Sequence, residues 1–274
     1  MIIWLASYPK SGNTMLRTML SAYLFSQNGK FNFSLLKNIK QFPNKKTLDF
    51  LGINVIHRNE IVKNSIRGQE IFNKNSGVGF LKTHNSLYNF KGKYPFTDYK
   101  NTLGAIYIVR DPRNVIISYS RHLDMSIEKT ANFLMKGNTS YLDIMGTWRE
   151  NYLSWKNMIR DKKCLLVRYE DLVSQRKTIF LQILKFVYQL RGIKFTVNKD
   201  KLENMLETTS FDYLKNLEKE NDFEESVKNK EGNKTIFFDE GPNRKWSNVL
   251  NRDILNQVES VFKQEMIELG YISS

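Results

Sequence analysis

Short runs of consecutive apolar residues alternate along this chain with longer stretches in which apolar positions recur every three or four residues. That is the pattern of strands covered by helices. Ile2-Ile3-Trp4-Leu5-Ala6 is the first run; Gly79-Phe80-Leu81-Lys82, Ala105-Ile106-Tyr107-Ile108-Val109 and Leu165-Leu166-Val167-Arg168-Tyr169 are the others. Each is continuous enough to be buried on both faces, as strands of a parallel sheet are. After a turn through Pro9 and Gly12, the spacing of Met15, Leu16, Met19, Leu20, Tyr23 and Leu24 marks an amphipathic helix, and 115–119, 141–158 and 177–190 read as further helices. This order predicts an α/β fold: a parallel sheet flanked by helices, with a P-loop-like phosphate-binding loop after the first strand and ligands at the strand C-terminal ends. Residues 25–78 show no clean period, and 218–235 form a charged, polar run without an apolar stripe, which reads as a loop.

Composition narrows the picture only a little. With 274 residues, 41% of them hydrophobic, the chain can bury one large core, and a single domain over 1–274 is the expectation. Lys plus Arg number 42 against 28 Asp plus Glu, a net charge of +14 that suggests an anionic ligand. The basic residues are scattered and not gathered into a stripe with interleaved aromatics, which argues against nucleic acid as the partner. The single cysteine, Cys164, can form no intrachain disulfide and sits in an apolar run as a buried strand residue would. Residues 2–6 are too short for a signal-peptide core, and no stretch reaches the ~20 apolar residues that span a bilayer, so a cytoplasmic protein without membrane insertion is expected.

The candidate chemistry begins in Tyr8-Pro9-Lys10-Ser11-Gly12-Asn13-Thr14, a glycine-containing loop between the first strand and the first helix. Backbone N–H groups and the positive helix end can hold a phosphate there, and Lys10 adds a full charge. It is not the common NTPase loop, because Lys10 precedes the only glycine by two residues.

Tyr-Pro-Lys-Ser-Gly-Asn-Thr resembles the 5′-phosphosulfate loop of the cytosolic-type sulfotransferases, enzymes that use 3′-phosphoadenosine 5′-phosphosulfate (PAPS). Further resemblances follow in the family's order. Residues 106–119 resemble its 3′-phosphate motif. Lys82-Thr83-His84 is similar to the segment that carries its general base. Tyr169-Glu170-Asp171-Leu172 and Thr209-Ser210-Phe211 are similar to its adenine-binding segments, and Gly241 to Asn248 matches a C-terminal segment in part. The resemblance implies a PAPS-dependent sulfotransferase, with PAPS as co-substrate, 3′-phosphoadenosine 5′-phosphate (PAP) as product and no metal. His84, Lys10 and Lys82 are then the catalytic residues. Lys10, Ser11, Gly12, Asn13, Thr14, Met15, Arg110, Ser118, Tyr169, Thr209, Phe211, Gly241, Arg244 and Lys245 are the nucleotide contacts. The acceptor is a small molecule or a glycan, attacked through a hydroxyl or an amine.

Two departures stand out. Met15 replaces the family's adenine-stacking Trp, and Asp239-Glu240 replaces its phosphate-gripping Arg-Lys, so Arg244 and Lys245 are assigned that contact. His57 and His122 lack the setting that singles out His84, and Tyr88, Phe90, Tyr94 and Phe96 are read as acceptor-pocket wall. The 218–235 run is expected to close over bound nucleotide. The family's dimerisation motif is absent, which leaves oligomeric state open. The rival readings are a Mg²⁺-dependent P-loop kinase and a non-catalytic nucleotide- or nucleic-acid-binding protein.

Overall fold

The computed structural model describes residues 1–273 except 91, 138–143, 222, 224, 227–231, 233–235, 239–240 and 242–245. Within the described chain, β1 (Ile2–Ser7), β2 (Lys40–Gln41), β3 (Gly79–Thr83), β4 (Thr102–Val109) and β5 (Cys164–Arg168) pair in parallel in the order β2-β3-β1-β4-β5. The helices are α1 (Asn13–Phe25), α2 (Lys45–Phe50), α3 (Arg58–Lys63), α4 (Ser65–Ser76), α5 (Pro112–Leu123), α6 (Ile127–Lys136) and α7 (Trp148–Arg160), followed by α8 (Tyr169–Ser174), α9 (Arg176–Leu190), α10 (Lys199–Thr208), α11 (Phe211–Glu220), α12 (Arg252–Val261) and α13 (Lys263–Glu268).

Alternation along β1 divides the core in two, because successive side chains of a strand point to opposite faces. Ile2, Trp4 and Ala6 pack with Val115, Ile116, Trp148, Trp155 and Val258 on one face. Ile3 and Leu5 pack with Leu16, Leu20, Ile183, Leu184 and Met205 on the other. Trp4 is fully buried, and its indole N–H donates to Thr102 Oγ1 at 2.9 Å, so the largest side chain of the sheet leaves no polar atom unpaired. Helix starts follow local chemistry. Asp111 caps α5 by accepting from Arg113 N at 2.9 Å with Pro112 in the first turn, and Thr147 and Glu150 form a capping box on α7.

Several expectations shift. Of the helix read over 141–158, residues 141–143 lie outside the described residues, and α7 starts at Trp148 because Gly146, at φ 67°, and the Thr147 cap hold Ile144 and Met145 out of helix. Tyr169 is not in a strand: pairing ends at Val109 with Arg168, and Tyr169 opens α8. The aperiodic 25–78 region holds a 3-10 helix at Phe33–Asn38, the helices α2, α3 and α4, and the edge strand β2, whose two residues pair with Leu81 and Lys82 and are too few to leave a period. In the 218–235 run, Glu218 to Glu220 belong to α11 and Phe223 is buried, packed at 4.7 Å on Phe33, so one aromatic anchor was hidden among the charges.

The topology places the site. The chain leaves β1 for α1 on one face of the sheet and leaves β4 for α5 on the other. Neighbouring strands whose connections depart to opposite faces open a crevice at their C-terminal ends, the position at which open α/β sheets bind ligands.

Candidate functional site

A cavity of about 550 Å³ fills that crevice. Its floor is the loop after β1. Lys10 and Gly12 both adopt left-handed backbone, with φ of 63° and 101°. For a lysine this is a strained conformation, held by its surroundings. Gly12 meets a second demand, since a Cβ there would lie 2.3 Å from Tyr169 Cδ2. No described side chain caps α1 at Gly12, so the first N–H groups of the helix are left to whatever enters the cavity. The Ser11 hydroxyl is buried without a described partner, and Arg110 Nε is likewise unpaired. Uncapped N–H groups, orphaned donors and converging cations fit a ligand with phosphate-type oxygens.

Burial pushes the Lys10 ammonium down to about 8, Glu225 pulling against the shift while Lys82, Arg110 and Arg121 reinforce it. Its Nζ lies 4.1 Å from the centre of the Phe237 ring. Lys82, at the end of β3, is also depressed by burial, with Glu225 opposing and Arg17 adding to the effect.

His84 follows β3 directly. Its Nδ1 is 2.8 Å from the Ser7 carbonyl oxygen and 3.2 Å from Ser7 Oγ. A carbonyl can only accept, so Nδ1 carries the proton, and Nε2 holds the free lone pair. Burial and Lys82 drive the imidazole down to about 3 against the pull of the Ser7 carbonyl, so it is neutral at ordinary pH. Asn151 donates to both the His84 and the Met145 carbonyls at 2.9 Å, which holds Met145 beside the histidine. Gln41, paired in register with Lys82, lines the same region.

Beyond the β1 loop, Arg110 Nη1 donates to the Lys10 carbonyl at 3.2 Å and its guanidinium lies 4.4 Å over the Tyr169 ring. Ser118, two turns into α5, lines the cavity with it. Met15, Tyr169, Thr209, Phe211 and Gly241 line the far wall. The Thr209 hydroxyl is already engaged, donating to Met205 O at 2.6 Å and accepting from Arg176 Nη2 at 2.9 Å. Gly241 sits so close to Phe211 that a Cβ would come within 2.1 Å of the ring.

The described residues singled out from sequence as catalytic or nucleotide contacts therefore converge on the cavity, apart from Ser11. Ser11 is buried beneath the cavity and does not line it. Asn13 lines the cavity, yet its side-chain amide turns back onto β1, donating to Leu5 O and Ser7 Oγ. Arg244 and Lys245 lie outside the described residues. Other readings need correction. Tyr88, Phe90, Tyr94 and Phe96 line a separate cavity of about 220 Å³, because the chain after His84 turns away toward α7. His122 does have a site setting: it lines the main cavity, stacks on Tyr119 and is pushed down to about 4 by burial, Lys10 and Lys82. Its position one helical turn after Ser118 was the signal available in the sequence.

Sequence reasoning also missed Arg176, Phe237, Phe238 and Glu225, all in the cavity lining. Glu225 accepts from Thr14 Oγ1 at 2.8 Å, pairs with Arg17, and lies 3.5 Å from Lys82 Nζ. Burial raises its carboxyl, but Lys82 and Arg17, with bonds from Thr14 and Arg17, outweigh that and hold it at about 2.

Comparison with known proteins gives a consistent result. The profile of the sulfotransferase domain matches residues 2–270. Mouse sulfotransferase 1 family member D1 is 24% identical over 78% of this chain and 65% of its own length. The 3-alpha-hydroxysteroid sulfotransferase of Cavia porcellus is 21% identical over 78% of this chain and 66% of its own. The chain thus spans just under two thirds of the length of these two relatives. The crystal structure of mouse sulfotransferase SULT7A1 complexed with PAP superimposes with a TM-score of 0.59 at 21% identity, covering 97% of this chain and 84% of that one. The parallel sheet with flanking helices read from the sequence is the sulfotransferase fold.

Proposed function

This chain belongs to the sulfotransferase family, and from that premise we propose that it moves the sulfuryl group of PAPS to the hydroxyl of a small uncharged acceptor, releasing PAP. The observation that carries the reading is the convergence of Lys10, Lys82 and Arg110 with a neutral histidine whose free nitrogen is fixed by Ser7. Sulfuryl transfer resembles phosphoryl transfer in passing through a loose, in-line transition state, so positioning and electrostatics dominate. His84 Nε2 takes the acceptor proton as the acceptor oxygen bonds to sulfur. The bond from sulfur to the phosphate oxygen breaks, and its electron pair stays on that oxygen. Lys10 meets the charge developing there, and Lys82 meets the sulfuryl oxygens. Arg110 and Ser118 hold the 3′-phosphate, while Met15, Tyr169 and Phe211 pack about the purine.

Support for an uncharged acceptor comes from the lining beside the base, where Gln41 and Met145 flank Lys82 and His84 and carry no charge. The relative from Cavia porcellus bears the name of a hydroxysteroid enzyme, which agrees with that class. An assay with labelled PAPS against phenols, steroids, glycans and amines tests it. Transfer to uncharged hydroxyl compounds is expected, and absence of transfer to every acceptor, with no PAP binding, would overturn the reading.

A further inference from the structure

The groups assigned to the 5′-phosphosulfate are not idle. Thr14 stands in the first turn of α1 and Lys82 at the end of β3, both facing the cavity, and the Glu225 carboxylate bonds to one and pairs with the other. Its third partner is Arg17, whose side chain is buried and also donates to the carbonyls of Leu36 and Ile39. No acidic residue lies in the first turn of α1. A helix N-terminus favours negative charge, and here a carboxylate from a distant segment supplies it. That segment is braced on both sides. Phe223 is buried against Phe33, and Glu218 accepts from Ser226 Oγ, Phe237 N and Phe238 N at 2.7, 2.7 and 2.8 Å.

We infer that Glu225 is an internal stand-in for the nucleotide's 5′ anion, occupying the cradle of Thr14 and Lys82 in the free protein and displaced when a 5′-phosphorylated ligand binds. The inference rests on reading 8–14 as the 5′-phosphosulfate loop. A purely structural ion pair is the weaker account, because a buried pair adds little net stability once its desolvation is counted. It would also have no cause to sit on two groups that line the cavity. The Glu225 side chain retains 26% exposure, so the carboxylate is not sealed from water. Occupancy of the cradle lowers apparent affinity by the fraction of molecules in which it is free; a free fraction of about one tenth costs about tenfold.

The consequence is selective. Ligands with a 5′-phosphate must displace Glu225, whereas adenosine 3′-monophosphate, which has none, need not. Calorimetric titration of PAP and adenosine 3′-monophosphate into wild type, Glu225→Gln and Glu225→Asp tests this. Gln removes the charge; Asp keeps it but is too short to reach all three partners together. PAP is expected to bind about tenfold tighter to E225Q and severalfold tighter to E225D, with adenosine 3′-monophosphate unchanged in both. If neither variant binds PAP more tightly, the inference fails. Tightening in E225Q alone would show repulsion at a distance and not occupancy, and would overturn it equally. Should E225Q not fold, E225D decides by itself. Wild type that binds PAP no better than adenosine 3′-monophosphate would instead refute the phosphosulfate-loop reading, and the inference with it.

Discussion

The strand-end wall of the cavity carries Lys10, Lys82, His84 and Arg110, whereas the helix wall carries Met15, Tyr169 and Phe211, and burial acts on the two in opposite senses. On the strand wall, burial costs charge: Lys10 is pushed to about 8 and Lys82 downward, with Glu225 opposing both shifts. On the helix wall, burial is itself the favourable term, since aromatic rings need no ionic partner. Substitutions at Lys10, Lys82 and His84 on the first wall should therefore change the chemistry, whereas Arg110 acts on the 3′-phosphate. Those on the second should change affinity alone.

The largest effect is expected at His84. His84→Ala should lower turnover roughly 10²–10⁴-fold while PAP affinity stays near wild type, as measured by steady-state rates and calorimetry. Because the imidazole titrates at about 3, the wild-type rate on a high-pKa alcohol should show no acid limb from this group above about pH 5. Near wild-type turnover in the variant would remove His84 as the base.

Lys10→Ala should lower both turnover and PAP affinity, each by about ten- to a hundredfold, the range of a charge-assisted hydrogen bond. An effect on turnover alone would place Lys10 away from the ground-state phosphate. Arg110→Ala should instead act on the 3′-phosphate. In wild type, PAP should raise the melting temperature well beyond AMP, since a specific ligand at a hundredfold its Kd adds about 2.7 kcal/mol. The variant should lose most of that difference, and equal shifts for PAP and AMP in wild type would remove the basis for the site.

Phe211→Ala sharpens the contrast between the walls. PAP should bind about tenfold more weakly, in keeping with stacking worth about 1–3 kcal/mol per base, with turnover at saturating PAPS unchanged. A fall in turnover would show that the helix wall also positions the reacting atoms. The smallest effect is the pH dependence of PAP binding. Lys10 in the free protein loses its proton through about pH 8, and bound phosphate raises that pKa, so binding takes up a proton above it. Affinity should accordingly fall severalfold between about pH 8 and 9, and the fall should vanish in Lys10→Ala.

The sequence by itself determined the parallel sheet, the strand-loop-helix unit at 2–25, and part of the cavity's lining: Lys10, Gly12, Thr14, Lys82, His84, Arg110, Ser118, Tyr169, Thr209 and Phe211. Lys10, Gly12 and Thr14 were legible because a loop between a strand and a helix declares its geometry over a few positions, and the others because their short motifs resemble the family's in the same order. Tertiary structure decided the rest. Glu225 meets Thr14 across 211 residues of sequence, and no local pattern in a polar run marks which acid will make that contact. Nor could local signals separate the direction of a side chain from the position of its backbone: Asn13 turns inward, Ser11 is buried beneath the cavity, and Tyr88 and Phe90 line a different cavity altogether. Hydrophobic period and loop chemistry act over one or two turns of chain. Charge pairing in a buried crevice depends on which ends of the sheet are brought together, and that is fixed only when parallel strands set their order and register.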